Sequence, residues 1–117
     1  MPPTTASSRA SLAARGVGLV VGVSERRDGT DVEVERDGAA TVVALPTRPD
    51  DDAARHRALN ARRIGWVRID VDPADPATST CTLVSTPHRL PVRCRIGLAA
   101  ALGLARLGVP TVIGTRS

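Results

Sequence analysis

The stretch "PHRLPVRCRIGLAAALG" (Pro87–Gly103) decides the fold, because the period of its apolar residues changes part-way along it. Within "VRCRI" (92–96), apolar residues alternate with two arginines, which is the period of a strand with one buried face. Gly97 then provides an acceptable N-cap for a helix. The sequence therefore predicts a strand over 92–96 followed by an apolar helix at about 98–107.

A helix that begins at Pro91 is the alternative for the same residues. It would crowd Arg93 and Arg95 into its first turn, where each positive charge opposes the helix dipole by about 0.3–1 kcal/mol. We therefore favour the strand. The apolar run that follows is interrupted by Arg106 and Pro110, so we expect a helix buried in the core and not a membrane span.

Upstream of this stretch, two Asp-Gly steps at 28–29 and 37–38 predict tight turns between three short strands. In "DVEVER" (31–36) the valines face inward and the acids face outward. Residues 51–63 predict a helix, since acids begin it and arginines end it. It should lie on the surface, because its apolar stripe is small: Ala54, Ala58, Leu59 and Ala61.

Together these segments predict an α+β protein with a mostly antiparallel sheet of about six to seven short strands and two helices, at about 51–63 and 98–107. We expect a flexible N-terminal tail over residues 1–12 and a single domain over residues 13–117. "VVALPTRP" (42–49) faintly resembles "LVSTPHRLP" (83–91), which indicates either a duplicated ββα unit or shared turn chemistry.

The composition predicts a thin core and a basic surface. The 117 residues include one Trp and no Phe or Tyr, and the 16 basic residues are all Arg, which is typical of a GC-rich bacterial genome. Small side chains bury little area each, so we expect further burial between subunits and predict a homo-oligomer. The net charge is +4, and residues 81–117 contain five arginines and no acid.

Five residues are candidates for binding an anionic ligand or partner: His88, Arg89, Arg93, Arg95 and Arg48. The plainer alternative, which the sequence favours, is a solvated strand face or ion pairs with Asp70 and Asp72. We therefore predict a small non-enzymatic binding and assembly domain whose arginine-lined patch could take an anionic partner. The alternative function is sequence-nonspecific binding of nucleic acid by the basic C-terminal third, through the phosphate backbone.

Catalysis is less favoured, and we assign no catalytic residue. Cys94 and His88 have the residue types of a nucleophile and its base, but the alternation predicts that Cys94 is an inert core thiol. No cysteine spacing fits a metal site, and we predict no cofactor and no metal. The expected partners are a second copy and an anionic ligand or nucleic acid, with no membrane, in the reducing cytoplasm.

Overall fold

A computed structural model describes residues 17–60, 63–86 and 89–116. It contains one seven-stranded sheet and two helices, which confirms the α+β class and the predicted number of strands. The predicted tail over residues 1–12 lies outside the described residues. In chain order the elements are β1 (Gly18–Arg26), β2 (Gly29–Arg36), β3 (Ala39–Leu45), α1 (Asp51–Asn60), β4 (Ile64–Val71), a short 3₁₀ helix (Pro76–Thr78), β5 (Thr80–Ser85), β6 (Val92–Ile96), α2 (Leu98–Arg106) and β7 (Thr111–Thr115).

The strands of the sheet lie in the order β3-β2-β1-β7-β4-β5-β6. Two meanders, β1-β2-β3 and β4-β5-β6, flank β7, and among the described strands only β4 and β7 pair in parallel. A parallel pair needs a crossover connection, and α2 belongs to it because it returns the chain from the edge strand β6 to the centre. The edges of the sheet are therefore β3 and β6.

Strand alternation assigns each side chain to one of two faces. We call the side that packs against α2 the helical face and the other side the opposite face. On β2, Val32 and Val34 are buried on the helical face, whereas Glu33 and Glu35 are exposed on the opposite face, as the alternation predicts. Buried residues on the helical face of the strands and on the apolar side of α2 form one core, to which the edge strand β6 contributes only Ile96.

Helix α2 is buried along most of its length, which confirms the predicted core helix. Leu102 and Leu104 are at most 1% exposed. The helix is followed by Gly108, whose φ of +98° favours glycine, and the backbone NH of Val109 donates to the carbonyl of Leu104. None of the described helices is long and apolar enough to cross a membrane.

Helix α1 packs against α2, most closely at Gly103. A Cβ added to Gly103 would lie 2.6 Å from the carbonyl oxygen of Asp50 and 2.8 Å from the Cβ of Ala54, so the helices approach backbone to backbone. Leu59 is 84% exposed, so its predicted place in the apolar stripe is wrong. It follows Ala54 by five residues, which turns it about 140° away from this contact. Ala61 lies outside the described residues.

The two similar segments of the sequence occupy different places in the fold. Residues 42–49 end β3 and lead into α1, whereas 83–91 end β5 and lead into β6. Their likeness therefore does not correspond to a repeated ββα unit. The order that does occur twice is strand, strand, strand, helix.

Candidate partner-binding site

The strand β6 lies at one edge of the sheet and hydrogen-bonds to β5 alone among the described strands. Four of its five residues, Val92 to Arg95, are exposed, and only Ile96 is buried. Its outer backbone donors and acceptors are therefore unpaired within the described residues. Such an edge is a template for another extended chain.

The two faces of β6 carry different chemistry. In the pairing of β5 with β6, Arg93 is the cross-strand partner of Val84 and Arg95 is that of Thr82. Both arginine side chains lie on the opposite face of the sheet, away from α2. Val92 and Cys94 lie on the helical face, but Val92 is 49% exposed. The edge thus presents guanidinium groups on one side and small apolar groups on the other.

The exposure of Cys94 shows that the predicted inert core thiol is wrong. The alternation was right, because Cys94 does lie on the helical face. However, α2 starts directly after β6 and covers only the Ile96 end of this edge strand, so the middle of β6 stays uncovered. A side chain on the helical face of an edge strand is therefore buried only where a helix packs over that part of the strand.

The second cysteine, Cys81, lies one strand further in and is fully buried. Burial raises the pKa of its thiol to about 12, and the charge of Asp70 acts in the same direction. Cys81 pairs with Ile96 and not with Cys94. Diagonal neighbours in a ladder lie about 7–8 Å apart, beyond the usual span of a disulfide, and both thiols are free.

Two further arginines lie at the end of the sheet where β6 begins. Arg89 is exposed in the segment that leads into β6. Arg63 is also exposed, and its carbonyl accepts a hydrogen bond from the backbone NH of Thr86 at 2.9 Å. We call Arg63, Arg89, Arg93 and Arg95 the arginine patch. His88, the remaining candidate of this stretch, lies outside the described residues.

None of the four arginines forms an ion pair with a described acidic residue. Asp70 pairs instead with Arg68, at 2.9 Å between Arg68 Nε and Asp70 Oδ1, and Asp72 pairs with Arg116. The suggested pairing of the β6 arginines with these two aspartates is therefore wrong. The positive charge of the patch is available to an external anion.

Arg48 is not part of this patch. Its Nη2 lies 2.6 Å from Glu25 Oε1 on β1, and β1 is four strands away from β6. Arg106 joins the same cluster, with Nη1 3.2 Å from Glu25 Oε2 and Nη2 2.7 Å from Asp51 Oδ2. Hydrogen bonds from Arg106 and Arg48 lower the pKa of Glu25, so this cluster ties β1 to both helices as a structural element.

Sequence analysis missed Arg63 because it assigned this residue to the end of a helix over 51–63, whereas α1 ends at Asn60 and Arg63 lies outside it. Only the β4–β5 pairing places it beside Thr86, next to the start of β6. The described residues contain no cluster of three or more His, Cys, Asp or Glu that could hold a metal ion. Comparisons with protein-family models, curated proteins and solved structures give no match to this chain.

Proposed function

We propose that the protein is a small non-enzymatic binding and assembly module whose edge strand β6 binds an extended acidic segment of a partner protein. The observation that carries the proposal is the two-sided exposure of β6, with arginines that pair with no described acidic residue on one face and exposed apolar groups on the other. An extended segment that adds to a sheet edge gains backbone hydrogen bonds, while its alternate side chains provide specificity.

The spacing of the two β6 arginines suits such a partner. Arg93 and Arg95 are two residues apart on one face, which corresponds to about 6.6–6.8 Å along a strand. Acidic side chains on alternate residues of an added strand have the same spacing. Each carboxylate can therefore meet one guanidinium, whose fork geometry suits two-pronged pairing.

The other face of β6 suits the intervening side chains of the partner. Val92 is 49% exposed and Leu90, just before the strand, is 77% exposed. Cys94 adds a small exposed group between Val92 and the buried end of the strand. A partner segment that alternates acidic and aliphatic residues would cover both faces of β6 at once.

We retain a reducing compartment, the cytoplasm, as the proposed setting, where the exposed thiol of Cys94 would stay reduced. Nucleic acid remains the competing ligand. The chain offers one Trp and no Phe or Tyr for base stacking, so a nucleic acid would be bound through its phosphates alone. The strand-edge proposal accounts for the exposed apolar groups of β6, which phosphate binding does not.

The test is the fluorescence anisotropy of a labelled eight-residue peptide that alternates Glu and Val, titrated with the full chain. We expect saturable binding that is at least about tenfold weaker for the Arg93→Gln/Arg95→Gln variant, from the loss of two charge-assisted contacts. The matched control is Arg27→Gln/Arg36→Gln, which removes the same charge from exposed arginines outside the patch.

Two further probes separate strand addition from general attraction to anions. Peptides with backbone N-methyl groups on the odd or on the even residues keep every charge but lose alternate NH donors. Strand addition predicts that one of these two peptides no longer binds. Equal binding of both, or a short DNA duplex that binds tightly while the peptide does not, would contradict the proposal.

A further inference from the structure

The other edge of the sheet, β3, differs from β6 in lacking charge. Its sequence, "AATVVAL", contains no charged residue and no proline. It pairs with β2 alone among the described strands, and its first four residues are exposed. Val42, at its centre, is 64% exposed. An edge that is neutral and has β-branched residues at its centre, here Thr41, Val42 and Val43, is one that natural proteins normally cover or protect with charge.

We infer that β3 pairs antiparallel with β3 of a second copy of this chain, around a two-fold axis at Val42, to form one continuous sheet. In that register Val42 meets its own counterpart. Ala40 meets Ala44 of the second copy on the opposite face, and Thr41 meets Val43 on the helical face. Every cross-strand pair is neutral, and small or β-branched groups lie across from each other.

The self-complementary register is what identifies a second copy as the occupant. A two-fold interface places the same patch on both sides, so a strand must tolerate its own side chains reversed. The same operation on β6, around Cys94, would set Arg93 directly against Arg95 of the second copy, twice. Like charges in directly opposed positions are destabilising, so β6 is unsuited to self-pairing whereas β3 is suited to it.

The acidic residues of β2 do not oppose this arrangement. Asp31, Glu33 and Glu35 lie opposite Ala44, Val42 and Ala40 of β3 in the register of the sheet. In the dimer, the two β2 strands would be three strand spacings apart, about 14 Å. This exceeds the Debye length of about 8 Å at physiological ionic strength, so the repulsion is largely screened.

This inference deepens the assembly part of the proposed function and does not depend on the arginine patch. One seven-residue strand pair is small beside the ~800 Å² per partner of a typical stable interface. The dimer should therefore depend on concentration.

Sedimentation velocity of the full chain over a range of concentrations tests the interface. Val42→Lys would replace a valine pair with two opposed ammonium groups at the axis, and we expect dimerisation about 2- to 30-fold weaker. The matched control is Val21→Lys on the interior strand β1, whose side chain is 53% exposed. A monomer at all concentrations, or a dimer that Val42→Lys leaves unchanged, would overturn the inference.

A cross-link tests the register itself. In a Cys94→Ser background, Val42→Cys should form a disulfide-linked dimer on mild oxidation, because the two positions are directly opposed. Thr41→Cys is the control, since each copy of it faces Val43 instead, and equal cross-linking of both variants would refute the register. Binding of the Glu/Val peptide to Val42→Lys tests β6 separately, so either proposal can fail while the other holds.

Discussion

The two edges of this sheet differ in charge although they share the same physical problem, a row of backbone groups that no other described strand pairs with. The strand β6 carries two exposed arginines in five residues, whereas β3 carries no charge in seven. Charge on an edge repels a copy of itself and selects a partner of opposite sign. A neutral edge has no such protection, and its most available partner is the same strand of another molecule.

From this difference we infer that the amino-acid composition of an edge strand indicates which kind of partner the edge can pair with. Val42 and Val92 are similarly exposed valines, at 64% and 49%, but their neighbours differ. Val42 has neutral neighbours along its own strand, and the nearest charge is Glu33 across from it on β2, on the side away from the edge. Val92 lies beside Arg93, so any partner must also supply negative charge.

The largest difference we expect is between the reaction rates of two thiols, one on the edge strand β6 and one on the neighbouring strand β5. Cys94 is exposed and Cys81 is buried, and burial raises the pKa of the Cys81 thiol to about 12. Cys81 should react only through opening of the fold, so Cys94 should react with Ellman's reagent on the order of a thousandfold faster. Stopped-flow labelling of wild type and Cys94→Ser gives both rates. Comparable rates would contradict either the exposure of Cys94 or the burial of Cys81.

The next effect concerns the core beneath both edges. Leu104 is fully buried, so Leu104→Ala should lower the free energy of unfolding by about 2–5 kcal/mol. Leu59→Ala, at a position that is 84% exposed, is the control and should change it by less than about 0.5 kcal/mol. Urea unfolding followed by Trp66 fluorescence measures both. Similar values for the two variants would contradict the assignment of α2 as the core helix.

A third change converts the charged edge into a neutral one. Arg93→Val/Arg95→Val removes two like-charge oppositions from a self-paired β6, each worth about 0.2–1 kcal/mol. Self-association should therefore strengthen by about 2- to 30-fold in sedimentation velocity, because a second neutral edge becomes available. Arg27→Val/Arg36→Val controls for the loss of net charge. An equal gain in that control would assign the effect to net charge and not to the edge.

The smallest change in stability is expected at the ion-pair cluster of Glu25, Arg48, Asp51 and Arg106. Arg106 and Arg48 lower the pKa of Glu25 below its ordinary value of 4.5. Because the folded-state pKa is the lower one, the stabilisation is present above pH 4.5 and is lost as the pH falls through the folded-state value. Glu25→Gln should therefore be less stable than wild type at pH 7 and should lose less stability in acid.

Urea unfolding of both proteins between pH 7 and pH 3 measures this difference. The effect should shrink with added salt, since Glu25 is about one-third exposed. The pKa of Asp72 is also lowered, chiefly by the backbone NH of Ala74, so part of the acid loss should remain in the variant. A stability gap between the two proteins that does not change with pH would contradict the role given to Glu25.

Local sequence pattern was sufficient to predict most of the strands and helices. Val32 and Val34 alternate with acids, and their strand has one buried face as expected. The same reasoning favoured a strand over a helix at 92–96, and the strand is observed there. Both results depend on side-chain period and charge, which act within a few residues. The start of α2 after Gly97 was predicted from local pattern as well, and it is observed there.

Local pattern was not sufficient for the candidate site. Arg48 resembles the other candidates in sequence, but its pairing with Glu25 places it four strands from β6. Arg63 was overlooked because its position beside Thr86 depends on a strand pair. Membership of a surface patch is set by which strands are neighbours, and sequence spacing does not contain that order.

Local sequence pattern specified most of the strands and helices and the face on which strand side chains lie, because steric and hydrophobic periods are local, whereas the predicted face of Leu59 on α1 was wrong. Which strands form the edges, and how far α2 covers them, depended on tertiary contacts. Cys94 shows the physical reason: its face was predicted correctly, yet its burial depended on a helix that covers Ile96 and not its neighbours. The face on which a side chain lies is set within one strand, whereas its burial also requires a second layer, here α2, to cover that face.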